Sequence, residues 1–254
     1  MLVPRLIPVL LVHQGSLVKT RRFGEFIYVG DPCNTARIFN ELEVDELIVL
    51  DIGTARYSSD PNWKLLGDLA EECFMPLAYG GSVKSVKDAA RLFEIGYEKI
   101  SINSACLDTP ELIDNLAAEF GSQAIIVSID VDSRPLGSAY VRHPRTGKSS
   151  GHAPLEWAIE VVDRGAGELL LTDVRREGTW RGMNHDLISE VSAAVQVPVI
   201  AHGGASSVVD VRDAIRIGGA TSVAVGNMVV FQKEGCGVLV HYPTRTELDE
   251  VFGD

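Results

Sequence analysis

Short apolar runs alternate with segments of helical spacing along this chain. The runs fall at residues 6–12, 46–51, 76–80, 99–103, 124–130, 168–174, 198–202 and 222–226, mostly Ile, Val, Leu and Ala. Runs that are apolar throughout suit strands buried on both faces of a parallel sheet. Between them, residues 62–73, 86–95, 110–120, 154–164, 186–194 and 208–217 space their apolar positions as helices do. Eight strands with helical connections give either a closed barrel or a large doubly wound sheet.

An internal repeat decides between them. Glu46-Leu-Ile-Val-Leu-Asp51 resembles Glu168-Leu-Leu-Leu-Thr-Asp173, and Met75-Pro-Leu-Ala-Tyr-Gly-Gly81 resembles Val197-Pro-Val-Ile-Ala-His-Gly-Gly204. After each Gly-Gly come small residues, a helix and an Ile/Val-rich strand. A repeat of half the chain predicts two half-barrels, so the expectation is a single (β/α)8 TIM barrel with two-fold pseudo-symmetry over residues 1–254. A dinucleotide-binding sheet is disfavoured, because no G-x-G-x-x-G follows the first strand. Two segments exceed what βα loops need. Residues 13–31 carry Gly15, Gly24 and Gly30 and read as a flexible loop, a candidate lid. Residues 131–153, with Ser133-Arg-Pro-Leu-Gly137 and Pro144-Arg-Thr-Gly147, read as an inserted hairpin on the active face.

Composition narrows the function. The chain has 254 residues, 46% hydrophobic, which is enough for one α/β barrel core. A net charge of −12 argues against a nucleic-acid surface, although Arg175, Arg176 and Arg181 make a local basic cluster. Residues 1–12 are apolar but short, without a signal-peptide cleavage site, and read as a buried strand. No apolar run is long enough to span a bilayer. Cys33, Cys73, Cys106 and Cys236 lack C-x-x-C spacing, and reduced thiols in the cytoplasm are expected.

Barrel active sites lie at the C-terminal strand ends. There the expected strands carry Asp51, Asn103-Ser104, Asp130 and Asp173, with Gly80-Gly81-Ser82, Gly203-Gly204-Ala205 and Gly226-Asn227. Gly-Gly before a helix exposes backbone N–H groups, which can cradle a phosphate or simply permit a tight turn. Two symmetric clusters favour phosphate: Gly81, Ser82, Asn103 and Ser104 in one half, and Gly178, Gly204, Gly226 and Asn227 in the other. Asp130 closes the apolar run Ile125-Ile-Val-Ser-Ile129, so its pKa should rise, as acid–base work requires. Asp51 and Asp173 are weaker candidates, since either could orient a neighbouring loop. In the half-barrel repeat, the position opposite Asp130 is Leu11, which cannot transfer a proton.

The stretches Gly30-Asp-Pro32, Val44-Asp-Glu-Leu-Ile-Val-Leu-Asp51, Lys99-Ile-Ser-Ile-Asn103, Phe120-Gly-Ser-Gln-Ala124, Gly165-Ala-Gly-Glu168 and Glu177-Gly-Thr179 resemble the cyclase subunit of imidazole glycerol phosphate synthase. The resemblance covers nearly the whole chain. It implies a histidine-biosynthesis lyase that binds a ribulosyl aminoimidazole carboxamide bisphosphate at the top of the barrel. It also implies a heterodimer, with a glutaminase subunit at the bottom sending ammonia through the barrel, and no metal or redox cofactor. Carried over by position, the paired acid–base aspartates fall on Leu11 and Asp130, and the loop lysine on Lys19. Phosphate contacts fall on Gly81, Ser82, Asn103 and Ser104, and on Glu177, Gly178, Gly204, Gly226 and Asn227. Ser82 replaces the usual third glycine, Glu177 the usual aspartate, and Gly226-Asn227 a small-residue pair. His202 stands where a small residue is usual; it could contact ligand or merely narrow the pocket.

At the barrel floor the family's ammonia gate maps onto Arg5, Glu46, Lys99 and Glu168, with Glu98 placed to touch the glutaminase. Without the resemblance, such a ring reads as a salt-bridged floor. The conduit is kept while the catalytic pair is relaxed. That pattern is similar to a divergent second-copy branch found with surface-polysaccharide (lipopolysaccharide) genes. Leu11, Tyr28-Val-Gly-Asp-Pro32, Cys73-Phe-Met-Pro76 and His241-Tyr-Pro243 are shared with it. There the barrel would pass ammonia to a separate amidotransferase that makes amidino sugars. Two functions therefore stand: a cyclase needing Asp51 or Asp173 in place of Leu11, and an ammonia conduit.

Overall fold

The computed structural model describes residues 4–57, 60–134 and 137–253. Residues 1–3 of the apolar N-terminal stretch, and Pro135 and Leu136 of the 131–153 segment, lie outside the described residues. In chain order the elements are β1 (Arg5–His13), β2 (Ser16–Lys19), β3 (Ile27–Gly30), α1 (Pro32–Glu41), β4 (Leu47–Asp51), α2 (Ile52–Tyr57), α3 (Trp63–Glu72), β5 (Leu77–Gly80), α4 (Val86–Glu94), β6 (Lys99–Ile102), α5 (Ser104–Asp108), α6 (Glu111–Phe120), β7 (Ile125–Ser133), β8 (Ala139–Val141), α7 (Pro154–Asp163), β9 (Glu168–Asp173), α8 (His185–Ala194), β10 (Val199–His202), α9 (Val208–Arg216), β11 (Ser222–Val225) and α10 (Arg245–Phe252).

Eight of these strands pair in parallel, in the order β1, β4, β5, β6, β7, β9, β10, β11. β11 then pairs with β1, Arg5 opposite Ser222 and Pro8 opposite Val225, which closes a (β/α)8 barrel. Closure explains the unbroken apolar runs, since both faces of each strand are buried. Leu6, Leu10 and Val12 of β1 pack outward under the helices, in the large cluster with Phe39, Leu69 and Trp157. Ile7, Val9 and Leu11 point the other way, into a separate lumen cluster with Ile48, Ala78, Ile126, Leu170, Ile200 and Ala224.

The half-barrel repeat extends to the helix caps. Ser85 caps α4 after Gly81-Ser82, and Ser207 caps α9 after Gly204-Ala205, each hydroxyl accepting the N–H three residues on. The expected strands and helices all appear, with ends shifted by at most three residues. Four helices lie beyond them: α1, the single-turn α2 and α5, and α10 after the last strand. In the 13–31 segment, β2 and β3 pair antiparallel, and β2 also pairs with the end of β1. In the 131–153 segment, β7 runs past the barrel mouth to Ser133 and pairs antiparallel with β8. Both extensions stand on the face where the barrel strands end.

The floor is closed by charge. Lys99 Nζ lies 3.1 Å from carboxylate oxygens of both Glu46 and Glu168. Arg5 bonds Glu46 through one guanidinium nitrogen and Glu168, at 3.0 Å, through the other. Burial raises the pKa of Glu46, and Lys99 and Arg5 oppose the rise. A buried carboxylate held by two cations tolerates no partial deletion. Glu46→Ala should lower unfolding free energy by about 3 kcal/mol in urea titrations; a loss below about 1 kcal/mol would mean the ring contributes little to stability.

Candidate active site

Side chains alternate across a strand, so the parity that puts the charged ring in the lumen also fixes what reaches the mouth. From Arg5 the inward series on β1 runs through Ile7 and Val9 to Leu11. On β7 it runs through Ile126 and Ser128 to Asp130, on β9 from Glu168 through Leu170 to Thr172, and on β10 through Ile200 to His202. Leu11, Ser101, Asn103, Ser128, Asp130, Thr172 and His202 accordingly line one cavity of about 750 Å³ at the mouth. That size suits a small-molecule substrate.

Asp130 is 7% exposed. Its Oδ2 accepts a hydrogen bond from Asn103 Nδ2 at 2.9 Å. Burial pushes its pKa up to about 6, while Asn103 and then Arg142 hold it back. The carboxyl group therefore exchanges its proton near neutral pH, as a general acid or base must. Leu11, on the opposite strand of the barrel, offers only methyl groups.

Asp51 and Asp173 have the other parity. Asp51 reaches the cavity rim, but its Oδ1 accepts from the N–H groups of Gly53, at 3.0 Å, and Thr54, at 2.9 Å, and so caps α2. Asp173 accepts from Arg175 N at 2.9 Å, Arg176 N at 3.2 Å and Asn184 Nδ2 at 2.7 Å, which ties down the loop after β9. Thr172, one residue earlier and of lumen parity, was missed by sequence reasoning. Counting in twos from Glu168 finds it.

Gly81, Ser82, Asn103 and Ser104 come together on one side of the cavity. Gly81 has a φ of +151°, and a Cβ there would lie 2.8 Å from Asp51 Cβ, so only glycine fits beside the rim. The buried Ser82 hydroxyl has no hydrogen-bond partner among the described residues. A buried donor without a partner among the described residues suits an acceptor on a ligand. Lys84, Arg142 and Arg145 also border this side.

The second cluster is also assembled: Glu177, Gly178, Gly204, Gly226 and Asn227 line a small recess with His202 and Trp180. Its volume is about 20 Å³, room for about one water. The β2–β3 hairpin packs against its glycines, Thr20 O lying where a Cβ on Gly178 would clash with it and Lys19 Nζ 3.1 Å from where one on Gly226 would be. Glu177 Oε2 accepts from Thr20 Oγ1 at 3.1 Å and Phe23 N at 3.2 Å, and Arg22 N donates to Glu177 O at 3.0 Å. Lys19 is 1% exposed, with Nζ bonded to Val9 O. Burial lowers its pKa to about 8, against the pull of Glu177. Among the described residues no group of three or more His, Cys, Asp or Glu side chains could hold a metal ion.

Asp130 also makes stability depend on pH. Its folded pKa lies above the ordinary aspartate value of 3.8, so burying the carboxyl group costs nothing below that value. The cost develops as pH rises through about 6. Asp130→Asn should therefore stabilise the protein by up to about 3 kcal/mol at neutral pH, with the gain vanishing as pH falls to about 4. Thermal unfolding of both proteins across this range checks it; an unchanged difference would mean that Asp130 titrates normally.

The family comparison agrees with the architecture. Residues 5–234 match the model of the family described as "Histidine biosynthesis protein". A Pseudomonas aeruginosa protein described as "Putative imidazole glycerol phosphate synthase subunit hisF2" is 42% identical over 96% of this chain and 98% of its own. Imidazole glycerol phosphate synthase subunit HisF of Chlorobium phaeobacteroides is 36% identical over 92% of each chain. A closed barrel with its charged floor, two glycine nests and a buried aspartate at the mouth thus sits within matches spanning nearly the whole sequence, and the chain belongs to the HisF-type family of imidazole glycerol phosphate synthase cyclase subunits.

Proposed function

We propose that this chain is the ammonia-accepting barrel subunit of a glutamine amidotransferase complex, and that it converts a bisphosphorylated ribulosyl-type substrate by cyclase-type lyase chemistry. The observation that carries this reading is the lumen itself. A four-membered charge ring closes one end, an apolar lining follows, and Asp130 stands at the other end. An apolar lining favours neutral ammonia over ammonium, because an ion there loses its hydration without replacement. Arg5, Glu46, Lys99 and Glu168 are the gate. Asp130 handles protons, Lys19 is the loop cation, and Asp51 shapes the rim.

One phosphate would sit at Gly81, Ser82, Asn103 and Ser104. The other would need Glu177, Gly178, Gly204, Gly226 and Asn227, and the hairpin must lift from Glu177 to admit it. The glutaminase would dock on the floor. Phe74 lies on that face, in the turn before β5, is 87% exposed, and is joined to the end of α1 by its N–H bond to Asn40. An exposed aromatic of this size is a typical interface anchor.

A second reading has its own support. Leu11 and the small volume of the second nest both suit a barrel that conducts ammonia to a separate synthetase, such as one making amidino sugars of a surface polysaccharide. Turnover assays separate the two. With saturating free ammonium and no glutaminase, the first reading expects imidazole product at a rate within the ordinary enzyme range, about 1 s⁻¹. With glutaminase and glutamine instead, Phe74→Glu should cut turnover at least about tenfold while leaving the ammonium-supported rate intact. No imidazole product from ammonium, together with undiminished activation of the glutaminase, would contradict the first reading and favour the second.

A further inference from the structure

The lumen position opposite Asp130 is Leu11, so amination at this mouth lacks one proton-transfer group. Asp51 and Asp173 are committed to backbone N–H groups and have the wrong parity. Among the described residues lining the cavity, one further side chain combines lumen parity with a titratable group at the level of Asp130. In β-sheet register Asp130 pairs with Thr172, and Thr172 pairs with His202. Two strand spacings put the Asp130 and His202 backbones about 10 Å apart, enough for a small substrate between their side chains. Both line the same cavity.

We propose that His202 is the second acid–base group of this site, in place of the carboxylate that Leu11 does not provide. The proposal rests on the cyclase reading above. Thr172 Oγ1 lies 3.2 Å from His202 Nδ1, which fixes the ring and leaves Nε2 on the side of Gly226 and Lys19, about 4.0 Å from where a Cβ on Gly226 would lie. A hydroxyl can donate to Nδ1 or accept from it, so the ring can present either tautomer. Burial, and then Lys19, lowers the imidazole pKa to about 4, so His202 waits as a neutral base. Asp130 keeps a protonated fraction near neutral pH.

The proton balance closes. Ammonia forms a C–N bond to a substrate carbonyl carbon and sheds a proton to His202 Nε2. The carbonyl oxygen takes a proton from the Asp130 carboxyl as its π bond breaks. An imidazolium and a carboxylate remain, and one proton passed back through water or product restores both. The Lys19 cation disfavours the imidazolium, which speeds the return of the proton. No redox partner is needed.

The test measures turnover with saturating free ammonium and the ribulosyl bisphosphate for four proteins: the unmodified chain, His202→Gln, Leu11→Asp and the double variant. His202→Gln should lower kcat at least about a hundredfold with little change in KM. Leu11→Asp should restore most of that loss in the double variant, which a misfolded protein would not allow. Equal kcat for His202→Gln and the unmodified chain would overturn the role of His202 and leave the cyclase reading standing. An inactive unmodified chain with an active Leu11→Asp would overturn it too, because the scaffold would then lack only the carboxylate. Inactivity of all four would overturn the cyclase reading itself.

Discussion

Closing a parallel sheet into a barrel forces every second side chain of eight strands into one narrow lumen. Each side chain is then judged by its depth. In the middle the lining is mostly apolar, with Ile7, Ile48, Ile126, Leu170 and Ile200, and the buried hydroxyls of Ser101 and Ser128 satisfy each other. Charge survives at the floor only because Arg5, Glu46, Lys99 and Glu168 satisfy one another. At the mouth, burial is still deep enough to shift Asp130, Lys19 and His202 away from their ordinary pKa values, in each case toward the neutral form. The barrel's chemistry is thus a consequence of how far along the strand a residue falls.

The same constraint divides carboxylates of similar sequence setting into different tasks. Asp51, Asp130 and Asp173 all end apolar runs. Asp130 has lumen parity and faces the cavity; the other two are turned toward the loops and cap them. The two extra hairpins add a second level of control over the mouth. β2–β3 presses Lys19 and Thr20 against the second nest through Glu177, and the segment after β8 brings Arg142 and Arg145 over the first. Asp108 at the end of α5 holds that segment through His143 and Arg145. The two hairpins meet where the Arg142 guanidinium lies over the Phe23 ring.

Most of the frame was legible because burial on both faces writes a strand as an uninterrupted apolar run. The half-barrel repeat was legible for the same reason, with its Gly-Gly ends. The single-turn helices α2 and α5 are too short to show a period. α1 was obscured because its buried face includes Thr35, while Ile38 faces solvent. α10 did carry a signal, the capping box Thr244-Arg-Thr-Glu247, beyond the last strand. The site residues at strand ends were readable as candidates. Which of them face the lumen depends on parity, and that is why Thr172 escaped notice and Asp173 attracted it. The grip of Glu177 on the β2–β3 hairpin joins residues far apart in sequence, and no local pattern announces it.

The central claim is that the lumen carries ammonia from floor to mouth. The most direct measurement supplies the complex with a glutaminase subunit, glutamine labelled with nitrogen-15 in its side-chain amide, and a large excess of unlabelled ammonium in solution. If ammonia travels inside the barrel, the nitrogen incorporated in the product keeps most of the glutamine label. If the product instead carries the isotope ratio of the bulk ammonium, nitrogen reaches Asp130 from solvent, and the account of the lumen is contradicted.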